Sequence, residues 1–197
     1  KKQMKRIDDL KVSKLTWLND ENYLVQVKSS QPIPEILPGN FAEIRVDHTN
    51  TVFLRRPFSE SDADYDNNTI TFYIKVIGKG TRILGNLQQG DIVNIIYPLG
   101  NSFSITENKK VLIIGGGSGI APFLLLGRQL KEQGNRMTFL LGGRSKKDIL
   151  LTRQLEEYGE IAITTEDGSL GETGMVTDHS IIRDHLKDFD TIFTCGP

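Results

Sequence analysis

The sequence predicts a two-domain chain, with an antiparallel β-barrel in residues 1–103 and a doubly wound α/β domain in residues 104–197. Short segments of alternating apolar and polar residues, separated by turns, fill the first hundred positions, and this spacing is typical of a small barrel. From Lys109 onward, continuous apolar runs alternate with helical patterns, as in a parallel sheet covered by helices. The change of pattern places the domain boundary within residues 102–109.

The barrel prediction rests on strand-like alternation. In residues 69–76 every second residue is apolar, which indicates a half-buried strand. Further strands are predicted in residues 22–27, 41–46 and 91–97, and one ending at Leu54. Turn-forming residues separate them at residues 32–39, 60–68 and 90–91.

The α/β prediction rests on a buried strand at residues 111–114, followed by a glycine-rich turn and a helix over residues 122–133. The pattern then predicts strands at residues 137–141, 160–165 and 191–194, and helices at residues 147–158 and 178–185. The printed sequence stops at the end of a strand, where such a domain normally has one more element. We therefore expect that a C-terminal portion is missing.

Composition excludes several classes of protein. The net charge of -1 disfavours nucleic acid as a partner, and no apolar run approaches the roughly 20 residues needed to cross a bilayer. The single cysteine, Cys195, rules out an internal disulfide framework and favours a cytoplasmic location. His48, His179 and His185 lie outside any metal-ligand spacing, so they are predicted to be surface or supporting residues and no metal site is predicted.

The glycine-rich turn at residues 115–119 follows a buried strand and opens a helix. Glycines at such a turn let backbone amides approach a pyrophosphate, and the helix N-terminus adds partial positive charge. The spacing departs from G-x-G-x-x-G, so an ordinary tight strand-helix turn is the alternative. Its place after the first strand of the α/β domain favours a dinucleotide site.

Two segments of the predicted barrel also suit phosphate. Arg55 and Arg56 precede Pro57, Phe58 and Ser59, so the arginines would bind a diphosphate while the serine offers a hydroxyl to a ring nitrogen. Residues 78–81, which end in Gly80 and Thr81, form a glycine-rich turn before a short helix. A solvated arginine pair and an ordinary capped turn are the alternatives. Together with the later glycine turn, these segments indicate two different dinucleotides.

Cys195 and Arg144 follow predicted strands at the sheet edge where doubly wound folds bind ligands. The thiol would line a nicotinamide site, unless Cys195 is a buried structural residue. Arg144 would contact a ribose 2′-phosphate and favour NADPH, or else be a surface charge. The sequence shows no acidic ribose partner at that strand end, so it leaves NADH and NADPH open.

The order of the motifs resembles the ferredoxin reductase superfamily, and most closely the electron-transfer subunits of B-type dihydroorotate dehydrogenases. The resemblance covers nearly the whole chain. It is carried by residues 56–59, 80–81, 98–101, 115–122, 165–171, 174–178 and 195–197.

The resemblance implies FAD in the barrel and NAD(H) on the α/β domain, with hydride transfer from nicotinamide C4 to flavin N5. Ser59 and Cys195 are the residues expected beside the reacting rings. The residues expected to bind cofactor are Arg56, Pro57, Phe58, Ser59, Ile74, Lys75, Val76, Gly80, Thr81, Gly115, Gly116, Gly117, Gly119 and Pro122. The expected partner is a dihydroorotate dehydrogenase catalytic subunit of pyrimidine biosynthesis, in a hetero-oligomer.

Two positions depart from the family pattern. The family carries four cysteines for a [2Fe-2S] cluster beyond the Cys-Gly-Pro motif, so a cluster is expected only in missing sequence, because Cys195 alone cannot hold one. Lys75 stands where arginine is commoner, which keeps the charge and loses the planar fork. The alternatives are a reductase subunit of the same fold for ferredoxin, sulfide or hydrogenase partners, and a non-enzymatic redox-sensing module.

Overall fold

A computed structural model describes residues 4–47 and 49–196, and His48 therefore lies outside the described residues. The chain divides into two compact units, Lys1–Phe103 and Ser104–Pro197. The first unit is a closed barrel of six strands: β1 (Arg6–Trp17), β2 (Asn22–Lys28), β3 (Phe41–Ile44), β4 (Arg56–Asp64), β5 (Thr69–Lys75) and β6 (Ile92–Leu99). One short helix, α1 (Lys79–Leu84), follows β5.

The barrel closes in the order β1-β2-β5-β4-β3-β6, and every neighbouring pair is antiparallel. Side chains alternate along the strands, so one set fills the interior and the other faces outward. The interior is apolar and includes Leu10, Val25, Ile44, Phe72, Ile74 and Ile95, none more than 2% exposed. The predicted barrel is confirmed.

Two barrel segments differ from the sequence prediction. Residues 52–54 are not a strand, because Phe53 and Leu54 are 87% and 74% exposed and have no sheet neighbour. Arg56 therefore begins β4 rather than following a strand. The predicted turn over residues 60–68 is shortened, since β4 continues to Asp64.

Strand β1 was missed because its apolar positions are interrupted by charged residues. Only Leu10 and Val12 are buried along it, and they alternate with exposed side chains. Pairing with β2 and β6 on its two sides compensates for this weak pattern, because backbone hydrogen bonds do not depend on side-chain polarity.

The second unit contains a five-stranded sheet in the order β10-β9-β8-β7-β11. Its strands are β7 (Lys110–Gly116), β8 (Arg136–Gly143), β9 (Gly159–Thr165), β10 (Glu172–Thr173) and β11 (Thr191–Cys195), and its helices are α2 (Phe123–Glu132), α3 (Thr152–Glu156) and α4 (Ser180–Asp184). Neighbouring strands are parallel throughout. From β7 the chain builds the sheet outward on one side and then returns to place β11 on the other. The strand order therefore reverses between β7 and β11, and such a reversal is where open α/β sheets bind ligands.

The predicted helix over residues 147–158 is wrong in its extent. Leu151 has a φ of 61°, which lies outside the right-handed helical region, so α3 begins only at Thr152. The predicted helix over residues 178–185 is likewise shorter, with α4 beginning at Ser180. His179, predicted to be a surface or supporting residue, is 7% exposed and accepts a hydrogen bond from the Ile181 amide through Nδ1 at 3.1 Å, so it is not at the surface.

A buried carboxyl group lies inside the barrel. Glu60 of β4 is fully buried opposite Phe72 of β5. Neither of its carboxyl oxygens has a hydrogen-bond partner among the described residues. Burial raises the pKa of Glu60 from 4.5 to about 8, because a charge is poorly solvated in this apolar interior.

We expect Glu60 to make barrel stability fall as pH rises. The folded state binds the Glu60 proton more tightly than the unfolded state, so this contribution is complete below pH 4.5 and is lost as pH rises to about 8. The free energy of unfolding should fall by up to about 1.4 kcal/mol per pH unit in that range. The Glu60→Gln variant should lose this slope. Urea unfolding followed by the fluorescence of Trp17, the single tryptophan, measures it.

The control is Glu35→Gln, which removes an exposed carboxylate from the same barrel. It should keep the wild-type slope. Equal slopes in wild type and Glu60→Gln would contradict the assignment.

Candidate functional site

In the barrel, two segments that the sequence marked separately as phosphate sites are brought together. The side chain of Arg56 lies against Gly80, the second residue of α1. A Cβ atom built at Gly80 would be 3.1 Å from Arg56 Nε and 3.5 Å from Val52 Cγ1. The absence of a side chain at position 80 therefore lets Arg56 lie across the start of α1.

The two neighbouring arginines have different roles. The guanidinium of Arg55 donates to the Asn94 carbonyl oxygen at 2.9 Å and the Glu43 carbonyl oxygen at 3.3 Å, and also to Asn94 Oδ1. Arg56 Nη1 makes only long contacts, 3.3 and 3.4 Å, with carbonyl oxygens of Leu54 and Arg55. Among residues 4–47 and 49–196, no carboxylate pairs with Arg56. Arg55 thus fastens β3 and β6, whereas the half-buried Arg56 is available to an anion.

The Thr81 hydroxyl, predicted to contact phosphate, is already engaged inside the loop. Its Oγ1 accepts hydrogen bonds from the amides of Ile77 at 3.0 Å and Gly78 at 3.2 Å, and donates to the Gly78 carbonyl oxygen at 3.0 Å. Thr81 is 4% exposed. Its hydroxyl therefore shapes the loop before α1 and is not turned toward a ligand.

The segment after Arg56 presents alternating faces. Ser59 lies opposite Phe41 and Pro57 lies opposite Glu43, while Phe58 lies opposite the fully buried Ala42. Ser59 is half-buried, and its hydroxyl has no hydrogen-bond partner within the described part of the chain. Ser59 and Pro57 therefore share the outward face of β4, and Phe58 lies on the inward face.

Strand β5 supplies less than the sequence indicated. Ile74 is 1% exposed in the barrel interior, so its side chain is not offered to a ligand. Lys75 is partly exposed, with Nζ 3.9 Å from Glu21 Oε2. The Val76 amide donates to the Glu21 carbonyl oxygen at 2.7 Å. Of the three predicted residues, Lys75 and the half-buried Val76 are the ones with accessible surface.

In the α/β unit, the strand reversal brings the glycine-rich turn against the end of β11. Gly115 pairs with Cys195 in the sheet, and a Cβ at Gly119 would lie 2.1 Å from the Cys195 carbonyl oxygen. Only glycine permits this approach. Gly116 ends β7, and Gly117 has a φ of 55° with no atom within 4 Å of its ideal Cβ position. Gly117 thus turns the chain beside open space, and Pro122 is buried just before α2.

Cys195 is half-buried at the carboxyl end of β11. Burial raises the pKa of its thiol, which keeps the sulfur protonated at neutral pH. A protonated thiol is a poor nucleophile. Cys195 is therefore suited to lining a site and not to forming a covalent intermediate.

The structure adds an acidic pair that sequence reasoning missed. The amides of Glu166 and Asp167 donate to the carbonyl oxygens of Gly143 and Arg144 at 3.0 and 3.1 Å, so the loops after β9 and β8 lie together. Hydrogen bonds from the Ser169 hydroxyl and amide lower the pKa of Asp167. The signal was available, because both loops follow carboxyl ends of parallel strands, and such ends meet at one edge when the strands are neighbours.

No group of three or more His, Cys, Asp or Glu side chains is arranged to hold a metal ion in residues 4–47 and 49–196. Over the same residues, every helix is too short or too polar to cross a bilayer.

Comparisons with known proteins agree with this architecture. The family model for the oxidoreductase NAD-binding domain matches residues 113–197. A structure reported for the NADH-dependent reduced ferredoxin-NADP oxidoreductase, in work on flavin-based electron bifurcation, is 30% identical with a TM-score of 0.83 and covers 95% of this chain and 67% of that one. A ferredoxin NADP+ reductase from Neisseria gonorrhoeae with bound FAD and NADP is 16% identical with a TM-score of 0.79. The match covers 96% of this chain and 85% of that one, and at this identity it shows the fold alone.

Three sequence relatives carry the same name, dihydroorotate dehydrogenase B (NAD(+)), electron transfer subunit. The relative from Shouchella clausii is 38% identical over 163 residues, which are 81% of this chain and 62% of the relative. The relative from Caldanaerobacter subterraneus is 39% identical, and the match spans 61% of its length. The chain thus spans less than two thirds of these two relatives. The relative from Listeria monocytogenes is 34% identical over 192 residues, which are 96% of this chain and 74% of the relative. The chain belongs to the family of dihydroorotate dehydrogenase B electron transfer subunits.

Proposed function

We propose that the chain is an FAD-dependent subunit that exchanges electrons between NAD(H) and a dihydroorotate-oxidising catalytic subunit, and so serves pyrimidine biosynthesis in the cytoplasm. The observation that carries the proposal is the contact of Arg56 with Gly80 in the barrel, where Arg56 has no carboxylate partner among the described residues. The relatives' name, which specifies NAD(+) and electron transfer, supports the choice of nucleotide and the need for a dehydrogenase partner.

The barrel residues fit the diphosphate of FAD. A guanidinium donates charge-assisted hydrogen bonds to phosphate oxygens, and the missing side chain at Gly80 leaves the cradle that a Cβ would fill. In this proposal Arg56 and the Gly80 to Thr81 backbone bind the pyrophosphate. The outward-facing Ser59 donates its hydroxyl to the ring, with Pro57, Phe58, Lys75 and Val76 as the neighbouring walls. The buried Ile74 supports this part of the barrel from the interior.

The α/β residues fit a second dinucleotide. The amides at the start of a helical turn have no partner within that turn, and Gly117 turns the chain beside open space. In this proposal residues Gly115, Gly116, Gly117 and Gly119 bind the pyrophosphate of NAD(H), Pro122 fixes the start of α2, and the protonated Cys195 lines the nicotinamide site.

FAD, when bound, supplies a ring that accepts a hydride and passes electrons on singly. The residues of the chain contribute binding and orientation: no acid-base group is needed, because hydride transfer between two rings depends on how they are held. A [2Fe-2S] cluster does not fit these 197 residues, because it needs four ligands and Cys195 is the single cysteine.

A second candidate within the same fold is a reductase subunit that serves ferredoxin, sulfide or a hydrogenase. The ferredoxin-NADP oxidoreductase relative, at 30% identity, favours it among the alternatives. The two candidates differ in partner. Co-purification with a subunit that forms orotate supports the first candidate, and co-purification with a ferredoxin or hydrogenase subunit replaces it.

The purified protein should bind FAD and show the visible absorption bands of a flavoprotein. Anaerobic addition of NADH should bleach these bands, since a reduced flavin loses them, and NADH should act at lower concentration than NADPH. Protein that stays colourless after incubation with FAD would refute the proposal. A flavoprotein that NADH does not bleach would leave a nucleotide-sensing module instead.

Replacement of Arg56 by alanine should weaken FAD binding by about 10- to 100-fold, because hydrogen bonds to charged groups contribute about 1.5–3 kcal/mol. The FAD affinity of Arg56→Lys should fall between those of wild type and Arg56→Ala, since lysine keeps the charge and loses the planar fork. Fluorescence titration of deflavinated protein with FAD gives these affinities.

The matched control is the neighbouring arginine. Arg55→Ala removes the bonds to the Asn94 and Glu43 carbonyl oxygens, so it should lower barrel stability more than FAD affinity. The assignment fails if Arg55→Ala weakens FAD binding more than Arg56→Ala does.

Replacement of Gly119 by alanine should weaken NADH binding at least tenfold, because the new Cβ would lie 2.1 Å from the Cys195 carbonyl oxygen and must displace the turn or β11. The control is Gly78→Ala, which makes the same chemical change where nothing lies within 4 Å. Isothermal titration with NADH compares them. Wild-type affinity in Gly119→Ala would show that the close approach is not needed.

A further inference from the structure

We propose that Tyr23 is a positioning residue that holds α1 on the barrel and thereby keeps Gly80 against Arg56. The proposal rests on the proposed function, since it assigns Tyr23 to the FAD site. Tyr23 lies on β2, far from Arg56 in the sequence. The proposed role does not require Tyr23 to contact FAD.

A buried hydrogen bond connects Tyr23 to α1. Tyr23 is fully buried, and its hydroxyl donates to the Thr81 carbonyl oxygen at 2.6 Å. This bond joins β2 to the middle of α1. Burial raises the pKa of Tyr23, so the hydroxyl keeps its proton as a donor.

Two aromatic rings, those of Trp17 and Tyr23, pack at the C-terminal end of α1. The ring centroids of Trp17 and Tyr23 are 4.8 Å apart, and the two ring planes are tilted by 50°. Gly85 follows α1, and a Cβ there would be 2.8 Å from Trp17 Cζ2 and 3.3 Å from Tyr23 Cε1. The two aromatic rings therefore occupy the space that a side chain at Gly85 would take.

Helix α1 is too short to hold its position without contacts to the barrel. It has six residues, and helices of this length are not stable alone in water. The bonds of the Thr81 hydroxyl to Ile77 and Gly78 are local, so they shape the loop without fixing it to the barrel. The Tyr23 hydroxyl supplies a fixed point on a barrel strand.

The consequence concerns the residue next to Thr81. Gly80 precedes it directly, and the ideal Cβ position of Gly80 is 3.1 Å from Arg56 Nε. Release of the Thr81 carbonyl oxygen lets α1 shift, which changes the relative position of Gly80 and Arg56. A site that is not held in its binding geometry must be ordered by the ligand, which lowers affinity.

The test replaces Tyr23 by phenylalanine, which keeps the ring and removes the hydroxyl. We expect FAD to bind about tenfold more weakly to deflavinated protein, from the loss of one buried hydrogen bond. At saturating FAD, the KM for NADH and kcat should return to wild-type values, because the α/β unit is unchanged. Amide hydrogen exchange in α1 should be faster than in wild type.

The matched control is Tyr97→Phe. Tyr97 of β6 is also fully buried, and its hydroxyl donates to Asp8 Oδ2 of β1 at 2.8 Å, so it also loses one hydrogen bond. We expect a comparable drop in melting temperature with unchanged FAD affinity and unchanged exchange in α1. If both variants weaken FAD binding equally, Tyr23 is merely structural and the proposal is overturned.

A second variant approaches the same anchor from the helix side. Gly85→Ala places a Cβ against Trp17, so it should also weaken FAD binding and speed amide exchange in α1. If Tyr23→Phe does not fold, wild-type FAD affinity in Gly85→Ala overturns the proposal. Wild-type protein that fails to bind FAD overturns the proposed function itself. If wild-type protein binds FAD and Tyr23→Phe binds it with the same affinity, only the role of Tyr23 is overturned.

Discussion

The side chain of Arg56 occupies the space beside Gly80 where a side chain at position 80 would begin, and the proposed barrel site depends on this arrangement. One residue begins β4 and the other lies in α1, so the chain must close the barrel before they meet. Because glycine has no side chain, the arginine can lie across the start of α1. No carboxylate of the described residues pairs with its guanidinium. A cation held in place before the ligand arrives costs little further ordering, which favours tight binding of a diphosphate.

The α/β unit uses the same physical device in a different setting. At the reversal of strand order, the turn after β7 passes within contact distance of the end of β11, and Gly119 makes this possible. The turn thus packs closely against the backbone of β11, and Gly117 faces open space. Close packing of backbone therefore explains the glycine at position 119, and the φ of 55° explains the glycine at position 117. A motif that departs from the usual glycine spacing still builds a turn suited to phosphate.

From Pro57 to Glu60, strand β4 alternates between outward-facing and inward-facing residues. Ser59 faces outward beside Pro57, and the next residue, Glu60, points into an apolar interior where its carboxyl group has no described partner. A buried neutral carboxyl stabilises little and costs free energy once ionised, so its presence beside the site-bearing residues ties barrel stability to pH. Ser59 and Glu60 are adjacent polar residues, and strand alternation places their side chains on opposite faces of β4.

The sequence by itself determined the fold class, because strand-like alternation and buried apolar runs are local patterns that record which faces are buried. It also determined that residues 56–59, 80–81 and 115–119 form tight or charged segments. Tertiary structure alone decided which of Arg55 and Arg56 is available, since the acceptors of Arg55 lie on β3 and β6. It also decided that the Thr81 hydroxyl is occupied locally and that an acidic loop lies beside Arg144. Hydrogen-bond partners distant in sequence are set by strand order, and no local pattern of residues records that order.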